Sequence, residues 1–389
     1  MEKTDALRLL VIAFGAYIMP FVSRRLMLPS AAGEFLFGMT IGSLFMEPGY
    51  SDGFIRYLSV IGFLLLMYIA GLELDLDRIA ALRKKQFFAY GSYAVILVAG
   101  AFIMARIINM PPFFALIIMC SAIGLLFSVM KDLNIVKTAL GQMLLLLGVI
   151  GEVLTLAGIT VVSLIARTGD AQNIARQIIG IIIFITSIFF IMKVLKLFLW
   201  WYPEMNRFFM SVGNPSEIGV RANLVNMFLF AAIAAVVNIE AILGAFLGGV
   251  IFARLFADRE EMLERLSSFG YGFLIPVFFI DVGSRFRFSD FTVPGVLEGA
   301  VLITASILIV RAAAAIPLLW THTPRRQLIY VPFAESFALT LFVAATATGE
   351  KAGVIEHSQA SMVILTAVIT AIFFPWIMKL LYKFMPVMK

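Results

Sequence analysis

The chain consists almost entirely of apolar segments, each about as long as a bilayer is thick, joined by short polar connections. A membrane-spanning helix needs about 20 such residues. Only 14% of the residues are charged and 62% are hydrophobic, whereas soluble domains contain roughly 25% charged residues. The sequence therefore predicts an all-α polytopic membrane protein, and we interpret the first apolar run as a span rather than a cleaved leader.

We predict thirteen transmembrane helices from these segments, of which the second and tenth are the shortest. The predicted helices cover residues 6–23, 31–46, 54–72, 86–107, 112–131, 138–166, 176–202, 218–237, 239–256, 268–283, 292–319, 326–348 and 357–384.

The distribution of basic residues supports this count. With thirteen helices, 20 of the 30 Lys and Arg residues fall on the side of the odd-numbered loops and the C-terminus, nine fall on the other side, and Arg311 lies within a helix. Cytoplasmic loops carry the excess of Lys and Arg. We therefore expect a multi-pass protein of the inner (plasma) membrane, with its N-terminus outside and its C-terminus in the cytoplasm.

The chain also repeats itself. GEFLFGMTIGSLF (33–45) resembles GAFLGGVIFARLF (244–256) at an offset of 211 residues, and FLLLMYIAGLELDL (63–76) is followed by a similar FLIPVFFIDVGSRFRF (273–288) at nearly the same offset. The repeat pairs predicted helices one to six with helices eight to thirteen. Seven helices separate the partners, so the two copies have opposite orientations. Inverted repeats are typical of secondary transporters with alternating access.

We therefore predict one transmembrane domain over residues 1–389. Its first repeat covers 1–166, a linker helix covers 176–202, and its second repeat covers 218–384. No polar segment is long enough to predict a soluble regulatory domain.

Glu152 is the main functional candidate, because it lies alone in the apolar stretch LGQMLLLLGVIGEVLTLAGITVVSLI. A charged side chain inside a membrane is costly and usually functional. A buried carboxylate can hold a proton or a metal cation, but not both, and this competition is the minimum requirement for exchanging one for the other. The alternative is a structural glutamate that locks two helices.

Arg311 and Glu335 are the other charged residues at membrane depth. A guanidinium cannot lose its charge, so Arg311 needs an anion, and Glu152 and Glu335 are the candidates. A static salt bridge remains the simple alternative. Pro332 removes a backbone donor and can open its helix locally, so Glu335 is predicted to support the site, with direct ion binding as the minority interpretation.

Several smaller polar residues could add oxygen ligands for a hard cation. Ser121, Gly124 and Ser128 lie along predicted helix five, and Thr155 follows Glu152 by about one turn. The alternatives are helix contacts for the serines and, for Thr155, a hydrogen bond to its own helix.

Other chemistry is not indicated. Two histidines and one cysteine do not suggest a transition-metal site, and neither a phosphate-binding loop nor a nucleophile elbow is present. We expect neither an enzyme nor an ATP-driven pump, and we predict no cofactor and no nucleic-acid partner.

Six phrases along the chain resemble the cation–proton antiporters, specifically the monovalent cation:proton antiporter-2 (CPA2) branch. In order they are LPSAAGEFLFGMTIG (28–42), AGLELDL (70–76), VIGEV (149–153), GAFLGGVIFA (244–253), IPVFFIDVG (275–283) and VPFAES (331–336). The resemblance that they carry extends over essentially the whole chain.

The resemblance implies a sodium/proton-antiporter-like fold. Helices one to three and eight to ten would form a dimerisation domain, helices four to six and eleven to thirteen a core, and helix seven would link them. Helices five and twelve would be broken and cross near the midplane, and the core would move like an elevator within a homodimer. Glu152 matches the family's ion-binding carboxylate, and Arg311 its basic core residue.

The sequence departs from this family pattern in three places. Gly151 and Glu152 stand where electrogenic members carry two aspartates, Ser121 and Ala122 replace a Thr-containing stretch, and Arg311 stands where lysine is usual. An arginine does not carry a proton. With one titrating acid and a fixed arginine, we expect electroneutral exchange, one cation for one proton.

The sequence thus predicts a Na⁺/H⁺ antiporter of the lipid bilayer, in which Na⁺ and H⁺ compete for Glu152. Two alternatives stay open. One is a K⁺/H⁺ antiporter. The other is a membrane sensor or scaffold that keeps the fold without transport and holds Glu152 and Arg311 in a permanent salt bridge.

Overall fold

The computed structural model describes residues 3–26, 28–45, 53–74, 83–168, 217–236, 241–255, 260–285, 294–321 and 324–385, with isolated helical positions between 186 and 201. The regular elements within these ranges are all helical. The α-helices are α1 Lys3–Arg25, α2 Ser30–Phe45, α3 Gly53–Glu73, α4 Lys84–Ile107, α5 Phe113–Met119, α6 Ile123–Asp132, α7 Ala139–Thr168, α8 Ile218–Val236, α9 Ala241–Leu255, α10 Glu260–Phe269, α11 Ile275–Ser284, α12 Val296–Ala315, α13 Tyr330–Ala334, α14 Leu339–Lys351 and α15 His357–Phe384.

These helices confirm an all-α membrane fold. Within the described residues, nine helical segments are long and apolar enough to cross a membrane. Most predicted boundaries lie within a few residues of the observed ones. The predicted linker helix at 176–202 lies outside the described residues, apart from isolated positions, and the count of thirteen stays a prediction.

The start of predicted helix ten, at residue 268, was wrong. The helix begins at Glu260 as α10, passes through a π-helical segment, Gly270–Leu274, and continues as α11. The additional turns are amphipathic: Met262 and Leu266 are buried, while the acidic side of the helix faces outward. A search for continuous apolar runs misses a helix that buries only one stripe of side chains.

The chain divides into two compact units. Unit 1 takes in residues 1–52, 77–169 and 279–389, and unit 2 takes in residues 53–76 and 170–278. Unit 1 therefore contains α1, α2, α4 to α7 and α12 to α15, and unit 2 contains α3 and α8 to α10. This grouping places α1 and α2 with the helices predicted to form the core. The predicted division into a core and a dimerisation domain remains a prediction.

In unit 1, α2 and the end of α11 touch backbone to backbone through two glycines. A Cβ on Gly38 would lie 2.0 Å from the carbonyl oxygen of Ile280, and a Cβ on Gly283 would lie 2.1 Å from the carbonyl oxygen of Phe35. No side chain fits at such distances, so glycine is required at both positions.

The same reciprocal contact occurs in unit 2, between α3 and α9. A Cβ on Gly249 would lie 2.1 Å from the carbonyl oxygen of Tyr68, and a Cβ on Gly71 would lie 2.1 Å from the carbonyl oxygen of Phe246. Gly249 and Phe246 lie 211 positions after Gly38 and Phe35 of the α2–α11 contact. Gly71 and Tyr68 lie 212 positions before Gly283 and Ile280 of the same contact. The proposed internal repeat predicts such a recurrence, because equivalent helices should pack through equivalent small residues.

A neutral polar network joins the helices of unit 2. The Tyr68 hydroxyl donates to Asn223 Oδ1 at 2.7 Å and accepts from Asn226 Nδ2 at 3.0 Å. The two amide groups also donate to the backbone carbonyls of Gly219 and Gly248. The buried hydroxyl of Tyr68 thus has a hydrogen-bond partner both as a donor and as an acceptor.

One polar clamp in unit 1 ties the start of α2 to α6 and α15. Asp132 accepts a hydrogen bond from the backbone N–H of Ser30 at 3.1 Å, which caps the first turn of α2. Lys379 donates to the carbonyl oxygen of Leu28 at 2.5 Å and lies 3.6 Å from Asp132.

Candidate ion-binding site at two helix breaks

The predicted helix five is broken in the middle. Helix α5 ends at Met119 and α6 begins at Ile123, with Cys120 and Ala122 in extended conformations between them. The break contains neither proline nor glycine, the usual causes of a helix interruption. It exposes backbone carbonyls at the end of α5 and backbone N–H groups at the start of α6, and these groups need partners from elsewhere.

Glu152 satisfies the N–H side of this break. The residue lies in α7 with 2% of its surface exposed, and its Oε2 accepts a hydrogen bond from the Ile123 N–H at 3.2 Å. A helix N-terminus carries partial positive charge, which favours a carboxylate there. Glu152 is therefore held at membrane depth by a backbone donor rather than by a basic side chain.

Arg311 satisfies the carbonyl side of the same break. It lies in α12, is fully buried, and donates from Nη2 to the carbonyl oxygens of Cys120 at 2.6 Å and Met119 at 3.2 Å. Its Nε and Nη1 have no hydrogen-bond partner among the described residues. Arg311 is thus not hydrogen-bonded to Glu152 or Glu335, and the break lies between a cation at one end and an anion at the other.

The predicted helix twelve is broken as well. Helix α13 ends at Ala334, and α14 begins at Leu339. Glu335 follows α13 directly, is 1% exposed, and accepts a hydrogen bond on Oε2 from the Ser121 hydroxyl at 2.9 Å. Since Ser121 lies in the first break, this hydrogen bond joins the two breaks.

Gly151 makes room for Ser121. A Cβ on Gly151 would lie 2.5 Å from the Cβ of Ser121, so a larger residue before Glu152 would displace the first break. The structure therefore places Ser121 beside Gly151 and Glu335, and its role as an ion ligand stays a prediction.

The remaining predicted hydroxyls bind mainly to their own helices. Thr155 donates to the Gly151 carbonyl at 2.7 Å and lies 3.5 Å from the Met119 carbonyl. Ser128 donates to the carbonyl of Gly124 at 3.3 Å, within α6. For Thr155 the structure shows the local hydrogen bond of the alternative interpretation, and a role as an oxygen ligand stays a prediction. Ser128 likewise has its hydroxyl engaged inside its own helix.

Tyr93 was missed by sequence reasoning. It lies in α4, is fully buried, and interacts electrostatically with Arg311 and Glu335. A tyrosine in an apolar helix gives no distinctive signal, because aromatic residues are common in membrane helices. Only the packing of α4 against α12 places this hydroxyl beside the charged residues.

The site offers oxygen ligands from three sources: the carboxylates of Glu152 and Glu335, the Ser121 hydroxyl, and backbone carbonyls at the breaks. Hard cations prefer such oxygen ligands. In the part of the chain that the structure describes, no group of three or more His, Cys, Asp or Glu side chains could hold a metal ion. Each carboxylate can hold a proton, and the same oxygens can bind a hard cation.

Comparison with known proteins places this geometry in context. Residues 10–383 match the family model described as sodium/hydrogen exchanger, transmembrane. The chain is 28% identical to the putative Na⁺/H⁺ antiporter YjbQ of Bacillus subtilis over 98% of its own length, and it spans 64% of the length of that relative.

Two further proteins resemble the chain. The Na⁺/H⁺–K⁺ antiporter GerN of Bacillus cereus is 24% identical over 69% of this chain and 68% of its own length. Among solved structures, the sodium proton antiporter MjNhaP1 of Methanocaldococcus jannaschii superposes with a TM-score of 0.62 at 12% identity, over 98% of both chains. This likeness shows that the two chains share a fold.

Proposed function

Because the chain belongs to the transmembrane sodium/hydrogen exchanger family, we propose that it is a secondary active antiporter that exchanges Na⁺ for H⁺ across the plasma membrane. The observation that carries this proposal is the burial of Glu152 at the N-terminus of α6, inside a helix break. The assignment to the CPA2 branch remains a prediction.

Exchange follows from competition at Glu152. Its carboxylate already accepts one hydrogen bond from Ile123 and keeps further lone pairs for a second ligand. In a site this buried, a bare carboxylate is costly, so it binds either a proton or a cation. Occupancy by one excludes the other, which couples the two gradients.

Arg311 sets the charge of the empty site. It remains cationic throughout and holds the carbonyl end of the first break. Since Glu152 is the single exchanging acid in this scheme, one cation replaces one proton and no net charge moves. This is the basis for proposing electroneutral exchange.

Alternating access requires two arrangements of the site. Inverted repeats provide them, because the two copies can exchange conformations. The recurring glycine contacts support such a repeat. We therefore propose that the core helices carry Glu152 across the membrane like an elevator within a homodimer, with the C-terminus in the cytoplasm.

The name of GerN supports a role for K⁺ as an alternative cation. The sensor or scaffold alternative receives less support, since a permanent salt bridge between Glu152 and Arg311 would join their side chains. Instead, each binds the backbone at the first break.

The test is proton flux in proteoliposomes, comparing wild type with Glu152→Gln. Na⁺, K⁺ and Li⁺ are added one at a time, with and without a clamp on the membrane potential. We expect Na⁺ to drive proton movement in wild type, independently of potential, and to drive none in the variant.

Glu298→Gln is the matched control, because Glu298 is an exposed carboxylate in the first turn of α12. It should transport like wild type. Melting temperatures in detergent show whether Glu152→Gln is folded. A folded Glu152→Gln variant that still exchanges Na⁺ for H⁺ would remove Glu152 from the mechanism. If the wild type moved no protons when any of the three cations was added, the antiporter proposal would be overturned.

A further inference from the structure

Three buried side chains of unit 1 have hydrogen-bonding atoms without partners in the described part of the protein. They are the hydroxyl of Tyr93, Nε and Nη1 of Arg311, and Oε1 of Glu335. Each of these residues is at most 1% exposed. Buried polar atoms without a partner are rare in native proteins, and several together call for an explanation.

The unused atoms are complementary. Arg311 has only donors to offer, and an ionised Glu335 has only acceptors. A tyrosine hydroxyl has both, so it can accept from a guanidinium and donate to a carboxylate at the same time. Tyr93 is thus the group that can connect the two charges.

Tyr93 also lies in a suitable place. Its hydroxyl faces the guanidinium of Arg311 and interacts electrostatically with Glu335, but it reaches full hydrogen-bond geometry with neither group. Helix α4 packs closely on α12, where a Cβ on Gly100 would lie 3.2 Å from a methyl group of Val310, the neighbour of Arg311.

We propose that Tyr93 is a positioning residue of the transport site, whose hydroxyl bridges Arg311 and Glu335 during the transport cycle. This inference rests on the proposed antiport function and adds to it a residue that does not bind the cation. The bridge replaces a direct salt bridge, so Arg311 can keep Nη2 on the carbonyls of the first break while its charge is still balanced.

The effect of the bridge reaches Glu152 through the breaks. Glu335 holds Ser121 by a hydrogen bond, and Ser121 lies in the same break whose first N–H binds Glu152. A Glu335 side chain fixed by Tyr93 fixes this break, which sets the geometry that the cation meets. Loss of the hydroxyl should therefore weaken cation binding while Glu152 itself remains intact.

The alternative is that Tyr93 only fills the core. In that case its buried hydroxyl without a partner lowers the stability of the folded protein. Tyr93→Phe should then match or exceed the wild type in stability without changing transport. The positioning role predicts a change in transport that depends on Glu335.

The experiment compares Tyr93→Phe with Tyr90→Phe, a tyrosine one turn earlier in α4. Apparent KM for Na⁺ and maximal rate are measured in proteoliposomes. We expect Tyr93→Phe to raise the KM about tenfold, the effect of losing one hydrogen bond to a charged group, with a nearly unchanged melting temperature. Tyr90→Phe should leave both KM and rate unchanged.

A double-mutant cycle with Glu335→Gln then tests whether Tyr93 acts through Glu335. The KM effects of Tyr93→Phe and Glu335→Gln should be clearly less than multiplicative, whereas those of Tyr90→Phe and Glu335→Gln should multiply. A KM for Tyr93→Phe within twofold of wild type, or independent effects in the cycle, would overturn the positioning role. The antiport proposal would then still stand on the wild-type flux.

Failure of the antiport proposal has a different signature. If wild type moves no protons with any cation, the same cycle is measured as melting temperatures. Non-additive shifts for Tyr93→Phe and Glu335→Gln would then show the bridge in a protein that does not transport, and additive shifts would reject the bridge as well.

Discussion

Two buried polar clusters in the described part of this protein differ in how completely their hydrogen bonds are made. In unit 2, Tyr68, Asn223 and Asn226 are neutral, and the hydroxyl of Tyr68 has both a donor and an acceptor as partners. In unit 1, Arg311 and Glu335 are charged, and both keep atoms without partners among the described residues.

This difference is the one expected between a structural network and the proposed transport site. A satisfied neutral network fixes the helices that it joins and has no capacity left for a ligand. A buried charged cluster with unused donors and acceptors raises the free energy of the folded protein while the site is empty. The free energy falls again when another group, a proton or a cation binds there. The following changes test this distinction, beginning with the largest expected effect.

Replacing Arg311 by Met should have the largest effect. The substitution leaves the carbonyls of Met119 and Cys120 without their donor and leaves Glu335 without a nearby cation. We expect the free energy of unfolding to fall by about 3–5 kcal/mol, as when one partner of a buried charge pair is removed. Proton flux should fall to the level of protein-free vesicles.

Melting temperature in detergent and flux in proteoliposomes measure these effects. Arg106→Met is the control, because Arg106 lies at the exposed end of α4. If Arg311→Met melted like wild type, the carbonyls of the first break would not depend on this guanidinium, and the contrast between the two clusters would be lost.

Adding one methyl group at the reciprocal glycine contacts should come next. The new Cβ would lie 2.0 Å from a backbone oxygen in Gly38→Ala and 2.1 Å from one in Gly249→Ala, so the two clashes are about equally severe. Overpacking of this kind costs about 1–3 kcal/mol, so we expect similar losses of stability from equivalent positions of the two repeats.

Gly91→Ala provides the matched control for these two variants. A Cβ there meets nothing within 4 Å, in the exposed middle of α4, so this change should stabilise the helix by up to about 1 kcal/mol. Thermal melting of all three variants decides the matter. A large loss in one glycine variant and none in the other would argue that the repeats do not pack equivalently.

Tyr68→Phe should have a moderate effect on stability and none on the exchange site. The change removes the donor to Asn223 Oδ1 and the acceptor of Asn226. An unsatisfied buried group costs about 1–2 kcal/mol, which should lower the melting temperature, while the KM for Na⁺ should match that of wild type. A raised KM with unchanged melting would reverse the roles assigned to the two clusters.

Asp132→Asn should have the smallest effect. The Asp132 and Lys379 side chains remain 31% and 23% exposed, and partly exposed ion pairs contribute only about 0.2–1 kcal/mol. The loss of stability should shrink further at high salt, because added ions screen the pair. Melting curves at low and high ionic strength measure it, and a large, salt-independent loss would show that this clamp contributes more than a surface ion pair.

The extent of sequence prediction differs between the helices and the site. The helix positions could be predicted because the bilayer requires a run of apolar residues of nearly constant length. The amphipathic helix α10 was not predicted, because it buries only one side of its surface and so lacks a continuous apolar run. Glu152, Glu335 and Arg311 could be singled out because charges are rare in such runs.

The partners of these charges could not be predicted in the same way. The sequence suggested that Arg311 binds a carboxylate, whereas its hydrogen bonds go to the carbonyls of Met119 and Cys120. Those carbonyls become available only because the helix is interrupted at residues that carry no local signal for a break. Tyr93 was not singled out for a related reason, since only the packing places it beside Arg311 of α12 and Glu335 in the break between α13 and α14.

The sequence alone thus determined that the chain crosses the membrane in many helices and keeps a few charged residues at membrane depth. These properties depend on the composition and spacing of residues along the chain, because each apolar segment is transferred into the bilayer according to its own length and hydrophobicity. The tertiary structure alone decided which backbone groups at the helix breaks Glu152 and Arg311 bind. A helix end gains its partners from other helices, so its charge balance is settled only when those helices pack together.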